Sequence, residues 1–255
     1  MSIFSIYFSP TKSTEKITDV LAAEFGTYEK IDLCQNLKDI LQFNEDDICI
    51  IGVPSYGGRV PSIALERMEK YQGNFAKTIV VVVYGNRAYD DTLIELQDYL
   101  RNKNFCLIAG VAAVAEHSIM HQFAKGRPDE EDIKELVQYA QKIKVELLKE
   151  KGSFDLNLPG HHPYKEYNGI ALKPKVNNEC TKCGICAKNC PVGAIPLNAV
   201  NTTNTNICIS CMRCIELCPS NARKVNRLLV KIAALKLKKE CTTRKNNELF
   251  LSRFK

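Results

Sequence analysis

The chain has 255 residues, 45% of them hydrophobic and 25% charged, with a formal net charge of +6. These fractions match an average globular protein, and no stretch of about twenty apolar residues is present to span a bilayer. The first residues lack the basic segment and cleavage site of a secretory signal, so we expect a cytoplasmic protein. The length favours one domain of about 150 residues followed by a smaller one.

The first 150 residues alternate short apolar runs with amphipathic stretches, which is typical of βαβ units around a parallel sheet of an α/β protein. The runs at 48–51 and 79–83 are apolar at every position. We therefore expect these two strands at the centre of the sheet, covered by helices on both faces. Strands are predicted at residues 2–8, 28–33, 47–53, 78–84 and 105–111, and helices at 13–25, 61–71, 90–102 and 130–149.

Residues 151–176 contain several glycines and prolines without clear periodicity, so we interpret them as a linker or wrapping segment. An internal repeat follows, because residues 180–191 and 208–219 both read Cys-x2-Cys-x2-Cys-x3-Cys-Pro. Residues 177–255 are predicted to form the second domain, with a basic helix from 222 to about 239. Docking of this helix by an apolar face is favoured, and binding to a membrane or to calmodulin is the alternative. The repeat contains eight of the twelve cysteines: Cys180, Cys183, Cys186, Cys190, Cys208, Cys211, Cys214 and Cys218.

Two-residue spacers let one turning loop present three thiolates to a single iron–sulfur cube. The repeat resembles bacterial two-cluster ferredoxins, in which the fourth cysteine of each run, before the proline, binds the other cluster. Structural zinc is the alternative, since Cys-x2-Cys pairs also bind zinc, but zinc does not require this spacing twice. The resemblance implies two [4Fe-4S] clusters, one on Cys180, Cys183, Cys186 and Cys218 and the other on Cys190, Cys208, Cys211 and Cys214.

The loop between the first strand and the first helix is rich in hydroxyl side chains. Backbone amides at a helix start, Ser and Thr hydroxyls and the positive end of the helix dipole all suit a phosphate. The loop resembles the FMN phosphate loop of flavodoxins, although Lys12 and Ser13 stand where that loop usually has Gly-Asn. The candidate phosphate-binding residues are Ser9, Thr11, Lys12, Ser13 and Thr14.

Two further loops follow the third and fourth strands at their carboxyl ends, where ligands bind in open α/β sheets. Each contains glycine for close approach and a tyrosine, Tyr56 or Tyr89, which we predict to flank the isoalloxazine ring. Arg59 and Arg87 are candidates for a cation near the N1 edge of that ring. The candidate flavin-binding residues in these loops are Pro54, Ser55, Tyr56, Gly57, Gly58, Arg59, Tyr84, Gly85, Asn86, Arg87 and Tyr89.

The first 150 residues thus resemble flavodoxins, which implies an FMN-binding, doubly wound sheet of strand order 2-1-3-4-5. Joined to a small α+β two-cluster ferredoxin-like domain with a C-terminal helix, they are similar to the EFR-family ferredoxins, a likeness that extends to residues 84–91 and 241–245. The resemblance implies electron transfer between redox protein partners. The cofactors would add a charge of about −6, which accounts for the basic balance without nucleic-acid binding.

One flavin and two clusters suit conversion between two-electron and one-electron donors, so an electron carrier without membrane insertion is the favoured function. One alternative is an oxidoreductase acting on a quinone, a nitro compound or NAD(P)H, although the sequence shows no acid–base pair or G-x-G-x-x-G fingerprint. Another is a domain that no longer binds FMN, which Lys12 keeps open. His117 is a candidate proton donor, but a structural hydrogen bond is favoured; Cys34 and Cys241 are candidate reactive thiols.

Overall fold

The computed structural model describes residues 1–36, 40–148 and 154–254. The last residue of the predicted fourth helix and the start of the predicted linker, 149 and 151–153, lie outside these ranges. The strands are β1 (Ile3–Tyr7), β2 (Glu29–Asp32), β3 (Ile48–Pro54), β4 (Lys77–Tyr84), β5 (Cys106–Val114), β6 (Phe154–Asp155), β7 (Lys175–Val176), β8 (Arg223–Lys224), β9 (Glu248–Leu251) and β10 (Arg253–Phe254).

Five parallel strands form the body of a sheet whose order is β2-β1-β3-β4-β5-β9. The predicted order 2-1-3-4-5 is therefore confirmed, with β3 and β4 in the interior and buried along almost their whole length. The helices are α1 (Ser13–Ala23), α2 (Ser62–Arg67), α3 (Thr92–Asn102), α4 (Glu130–Leu147), α5 (Ile185–Lys188), α6 (Arg213–Glu216) and α7 (Arg227–Cys241).

Helices cover both faces of this sheet, as the doubly wound fold requires. Ile17 and Leu21 of α1 and Leu136 of α4 belong to one buried cluster. Ala64 of α2 and Leu96 of α3 belong to another, on the opposite face. A strand at the centre of the sheet faces both clusters, so its side chains must be apolar on both alternations. The sequence shows this pattern for β3 and β4.

The sixth strand of the sheet, β9, comes from the end of the chain and was not predicted. It pairs antiparallel with β5, with Gly110 opposite Phe250. The buried Asn247 anchors it, since its side-chain oxygen accepts a hydrogen bond from the Val114 amide at 2.9 Å. A four-residue edge strand directly after a basic helix has too little alternation to be seen in the sequence.

The cysteine-rich part consists of short elements around the two cysteine runs. The helices α5 and α6 have four residues each, and β7 pairs with β8 in a two-stranded sheet. The basic helix α7 starts five residues later than predicted, because Arg223 and Lys224 are in β8. The Asn226 side chain caps α7 by accepting hydrogen bonds from the amides of Leu228 and Leu229. In the described part of the chain, no helix is long and apolar enough to cross a membrane.

Candidate cofactor sites

A cleft of about 540 Å³ opens at the carboxyl ends of β1, β3 and β4. This is the end of the sheet where open α/β folds bind ligands. Its walls also include residues 115–120 after β5, residues 166–172 of the predicted wrapping segment, and two side chains of α7. The predicted FMN-binding residues that line it are Thr11, Ser13, Thr14, Pro54, Ser55, Tyr56, Gly57, Gly58, Tyr84, Gly85 and Arg87.

The start of α1 offers free donors to this cleft. The Ser9 side chain accepts a hydrogen bond from the Glu15 amide at 2.9 Å, so Ser9 caps the helix and does not line the cleft. Among the described residues, the amides of Ser13 and Thr14 have no partner, and both residues line the cleft. Backbone amides at the positive end of an eleven-residue helix, together with their own hydroxyls, fit a phosphate group.

Lys12 has a left-handed backbone, with φ of 63°, and its exposed side chain does not line the cleft. This conformation costs a residue with a side chain about 1 kcal/mol. It is the conformation that glycine adopts freely, which explains the glycine usual at this position in flavodoxin-like loops. At Lys12 the loop therefore keeps a conformation that suits glycine, at a steric cost that the rest of the fold offsets.

Tyr167, in the wrapping segment, is a cleft residue that the sequence pattern did not indicate. Its ring covers Gly57, where an added Cβ would lie 2.6 Å from the ring and where φ is +62°. The Tyr167 hydroxyl is buried and has no hydrogen-bond partner in the described part of the chain. A ligand in the cleft can satisfy this donor, so the donor set and the close approach at Gly57 both fit a flat, polar-edged group such as a flavin.

Besides Ser9 and Lys12, three predicted residues of the other two loops do not line the cleft. Arg59 forms a bidentate ion pair with Glu95 at 2.7 and 2.8 Å and so joins its loop to α3. Asn86 is buried, and its side chain donates to the carbonyl groups of residues 241 and 243 at the end of α7. Tyr89, predicted to flank the flavin, instead donates to Glu248 of β9 at 3.2 Å and packs edge-on against Tyr84.

His117 lines the cleft as a neutral side chain of fixed tautomer. Its Nδ1 accepts hydrogen bonds from the amides of Ile119 at 3.1 Å and Met120 at 3.3 Å, so the ring proton is on Nε2. Burial lowers the pKa of His117 from 6.5 to about 4. The favoured interpretation, a structural hydrogen bond, agrees with this geometry, and an imidazolium proton donor at neutral pH does not.

The eight cysteines of the repeat line two separate small cavities. We call the one lined by Cys190, Cys208, Cys211 and Cys214 the inner cavity. The outer cavity is lined by Cys180, Cys183, Cys186 and Cys218. Each cavity thus combines three cysteines of one run with the fourth cysteine of the other, which is the crossed arrangement that the resemblance to two-cluster ferredoxins implies.

The two fourth cysteines occupy equivalent positions. The amide of Ala194 donates to Cys190 Sγ at 3.2 Å, and the amide of Ala222 donates to Cys218 Sγ at 3.3 Å. Burial acts to raise the pKa of the Cys218 thiol, but hydrogen bonds from Ser220 and Ala222 outweigh it and lower this pKa. Donors of this kind stabilise a thiolate, the form that binds iron.

Arg223 is a fully buried cation between the two cavities. It lines the outer cavity, and its guanidinium donates to Val200 O at 2.5 Å and Thr203 Oγ1 at 2.9 Å. Burial raises the pKa of the Cys214 thiol, in the inner cavity, to about 11, and the charge of Arg223 opposes that rise. Arg223 therefore supplies positive charge to both cysteine sets.

Within the described ranges, no group of three or more His, Cys, Asp and Glu side chains is arranged to hold a single metal ion.

The inner cysteine run also forms part of the wall of the cleft. Ser210, between Cys208 and Cys211, is buried and lines the cleft, and its hydroxyl donates to Ile170 O at 3.0 Å. Tyr56 lines the cleft and belongs to the same buried cluster as Cys211. The inner cysteine run therefore contacts the flavodoxin-like part directly.

Two arginines hold this junction. Arg213 of the inner run lies 3.4 Å from Asp32 Oδ2 and donates to Ser9 O at 3.4 Å. Arg67 of α2 donates to Pro191 O at 3.1 Å. In each arginine the Nε is buried and has no hydrogen-bond partner among the described residues. The junction therefore contains two buried N–H donors that remain unpaired within this part of the chain.

The two remaining candidate thiols are buried. Burial is the main cause of the raised pKa of Cys34, and the negative charge of Asp32 adds to it. Burial likewise raises the pKa of Cys241, at the end of α7. Both thiols are therefore protonated at neutral pH, and neither has the accessible thiolate that reactivity requires.

Comparison with known proteins identifies the cysteine-rich part. Residues 179–222 match the family model of a 4Fe-4S dicluster domain. A protein of Escherichia coli strain K12 named as a putative electron transport protein, YccM, is 48% identical over 63 residues. That match covers 22% of this chain and 17% of YccM. Since all eight cysteines of the repeat lie inside the range of the family match, this part of the chain carries two [4Fe-4S] clusters.

Among solved structures, flavodoxin 2 of Bacillus cereus is 16% identical, with a TM-score of 0.45, and the match covers 57% of this chain and 99% of that one. A flavodoxin from the domain Archaea is 14% identical, with a TM-score of 0.41, and the match covers 56% of this chain and 99% of that one. The fold assignment rests on strand order and parallel pairing rather than on these likenesses. The chain is thus a flavodoxin-like sheet joined to a 4Fe-4S dicluster domain.

Proposed function

We propose that this chain is an electron-transfer protein that couples FMN to its two [4Fe-4S] clusters and exchanges electrons with redox protein partners. The observation that carries the proposal is the position of Ser210, which lines the cleft while its neighbours Ile209 and Cys211 line the inner cavity. A flavin in the cleft and a cluster in the inner cavity would then lie on either side of this segment of chain. Two anionic cofactors side by side also suit the half-buried arginines at the junction, Arg213 and Arg67.

In this proposal the amides and hydroxyls of Ser13 and Thr14 would hold the phosphate of FMN, with the Thr11 hydroxyl beside them. The loop containing Gly57 and Gly58 would hold the ring, and Tyr167 would cover it. Bound FMN supplies the capacity to take up or release electrons singly or in pairs. Residues 166–172 would exclude water from the cleft, and the neutral His117 would offer a hydrogen bond from Nε2 without carrying an extra proton.

The proposed ligand sets are the crossed ones. Cys190, Cys208, Cys211 and Cys214 would hold the inner cluster, next to the cleft. The other four cysteines would hold the outer cluster, where Cys183 is exposed to solvent. The exposed position suits exchange with a partner protein, and we infer a route from FMN through the inner cluster to the outer one.

The proposal includes the likeness to EFR-family ferredoxins, with residues 1–150, 151–176 and 177–255 as flavodoxin-like domain, linker and ferredoxin-like domain. It assigns no substrate of its own to the chain and no catalytic residues. The partners are further redox proteins, because the outer cavity is small and opens beside the exposed Cys183, away from the large cleft that would hold the flavin.

Anaerobic purification followed by iron, sulfide and flavin analysis tests the proposal. We expect about eight irons and one FMN per chain, and two distinct cluster signals in an EPR-monitored titration. About four irons, or failure of added FMN to bind, would contradict it. Rapid turnover of a quinone or NAD(P)H without any protein partner would favour the oxidoreductase alternative.

A further inference from the structure

The helix α7 has two apolar faces, of which the protein buries one. The inward face, which includes Ala234 and Leu237, packs against residues 119–123 and the inner cysteine run. The opposite face, which we call the outer face, leaves four large aliphatic side chains in solvent: Leu228 is 66% exposed, Leu229 50%, Ile232 45% and Leu235 71%. Residues 228, 232 and 235 are spaced as one stripe along a helix.

Cations flank this stripe. The helix contains one acidic residue, Glu240, and five basic ones, all exposed. Lys231 and Lys238 lie on one side of the stripe and Lys236 on the other, because they fall between its positions in the helical repeat. An exposed apolar patch flanked by like charges is unusual on a soluble surface and indicates a binding face.

The residue types of the outer face indicate what kind of partner binds there. A two-fold dimer through it would bring the five cations of one copy against the five of the other. Protein interfaces favour Tyr, Trp, Phe, Met and Arg and are poor in Lys, whereas this face has leucine, isoleucine and lysine without an aromatic residue. Aliphatic residues beside lysines match an interfacial helix on anionic lipid, where lysine side chains reach the phosphates.

We propose that the outer face of α7 binds the surface of an anionic lipid bilayer. The helix lies in the plane of the headgroups, with Leu228, Ile232 and Leu235 entering the boundary with the acyl chains. This binding is peripheral, in keeping with the absence of a spanning helix from the described ranges. The proposal does not depend on FMN or on the clusters, so it can fail or succeed separately from the proposed function.

The apolar arm of the test uses vesicle co-sedimentation of the full-length protein, purified anaerobically. We expect binding to vesicles of phosphatidylglycerol and phosphatidylcholine, and little binding to phosphatidylcholine alone. The triple variant Leu228→Gln, Ile232→Gln, Leu235→Gln should bind the anionic vesicles at least about tenfold more weakly. The matched control is Leu197→Gln with Ile207→Gln, two exposed aliphatic residues outside α7, which should bind as the unchanged protein does.

The charge arm uses Lys231→Gln, Lys236→Gln and Lys238→Gln, which should weaken binding about tenfold or more at low salt. Lys134→Gln with Lys142→Gln, two exposed lysines of α4, is its control and should leave binding unchanged. Absence of binding to anionic vesicles, or equal binding by the α7 variants and their controls, would overturn the proposal. A concentration-dependent dimer that the apolar triple variant dissociates would identify a second copy as the occupant and overturn it as well.

Discussion

The inner and outer cavities have the same cysteine spacing in sequence but different surroundings in the fold. In the inner run Cys211 is buried, the neighbouring Ser210 lines the cleft, and Arg213 contacts the loop before α1. In the outer run Cys183 is exposed, and no residue from 180 to 186 lines the cleft. A repeat with equal cysteine spacing thus occupies two different positions, one beside the cleft and one facing solvent.

The largest expected effect comes from removing one cavity at a time. Cys211→Ser should abolish electron exchange between FMN and the outer cluster, because the inner cluster lies between them in our account. Cys183→Ser should abolish delivery to a partner but leave exchange between FMN and the inner cluster intact. Stopped-flow absorbance after anaerobic reduction measures both.

The control for this pair is Cys49→Ser, which changes a buried cysteine of β3 outside both cavities. It should retain both cluster signals and both rates. If Cys183→Ser slows exchange between FMN and the remaining cluster as strongly as Cys211→Ser does, the two cavities do not differ in position as we describe.

Gly57→Ala tests whether the cleft beside the inner cavity holds the flavin. The new Cβ would lie 2.6 Å from the Tyr167 ring, and φ of +62° adds backbone strain. We expect FMN to bind at least about tenfold more weakly, measured by quenching of flavin fluorescence. Gly126→Ala is the control, because its φ of +77° brings the same strain while nothing lies within 4 Å. Equal FMN affinity in the two variants would contradict the assignment of the cleft as the flavin site.

Arg223→Gln tests the cation that the two cavities share. Loss of a buried positive charge should lower the reduction potentials of both clusters, by on the order of 60 mV each, which is a tenfold change for a one-electron couple. EPR-monitored titration measures the shift. Lys224→Gln removes an exposed charge one residue away and should change the potentials much less. A shift confined to one cluster would place Arg223 beside one cavity only.

His117, which lines the cleft, makes the stability of the protein depend on pH. The pKa of His117 is about 4 in the folded chain and 6.5 in an unfolded chain. Between pH 4 and 6.5 the unfolded chain therefore binds one proton more than the folded chain does. The free energy of unfolding should therefore fall as the pH falls from about 6.5 to 4, by up to about 3 kcal/mol. Denaturant unfolding of the FMN-free protein at several pH values measures it. His117→Asn should flatten this fall, whereas His121→Asn, at an exposed residue, should not.

The smallest expected effect is at Lys12, whose left-handed backbone we attribute to the phosphate loop. Lys12→Gly should raise the free energy of unfolding by about 0.5 to 1 kcal/mol, because glycine adopts this conformation without the steric cost. Lys12→Ala removes the charge but keeps the strain, so it separates the two causes. If Lys12→Ala is as stable as Lys12→Gly, the left-handed backbone at this residue carries no cost.

The periodic parts of the chain were predictable from sequence. The strands β3 and β4 are apolar on both alternations, so burial on both faces and a central position follow from the residues themselves. The two cysteine runs have a spacing with few other uses, so the spacing alone indicates iron–sulfur clusters. In open α/β sheets ligands bind at the carboxyl ends of strands, a rule that singles out loop residues such as Tyr56 and Gly57, and both residues line the cleft.

Contacts between distant segments were not predictable. Tyr89 looks like a flavin-stacking residue because it follows β4, but its partner Glu248 is on a strand that the pattern did not reveal. Arg59 likewise pairs with Glu95 of α3 and does not line the cleft. Tyr167 reaches the cleft from a segment without periodicity, so only the fold shows its position. The apolar residues of α7 are visible in the sequence, but the pattern does not tell which of the two apolar faces of the helix is buried.

The order in which the two clusters receive electrons from reduced FMN tests the central claim most directly. Rapid-freeze EPR after photoreduction of the flavin, with the Cys183→Ser variant to identify the inner cluster's signal, measures this order. Our account predicts that the inner signal rises first and the outer signal follows. An outer signal that rises first, or a cluster reduced at the same rate without FMN bound, would contradict it.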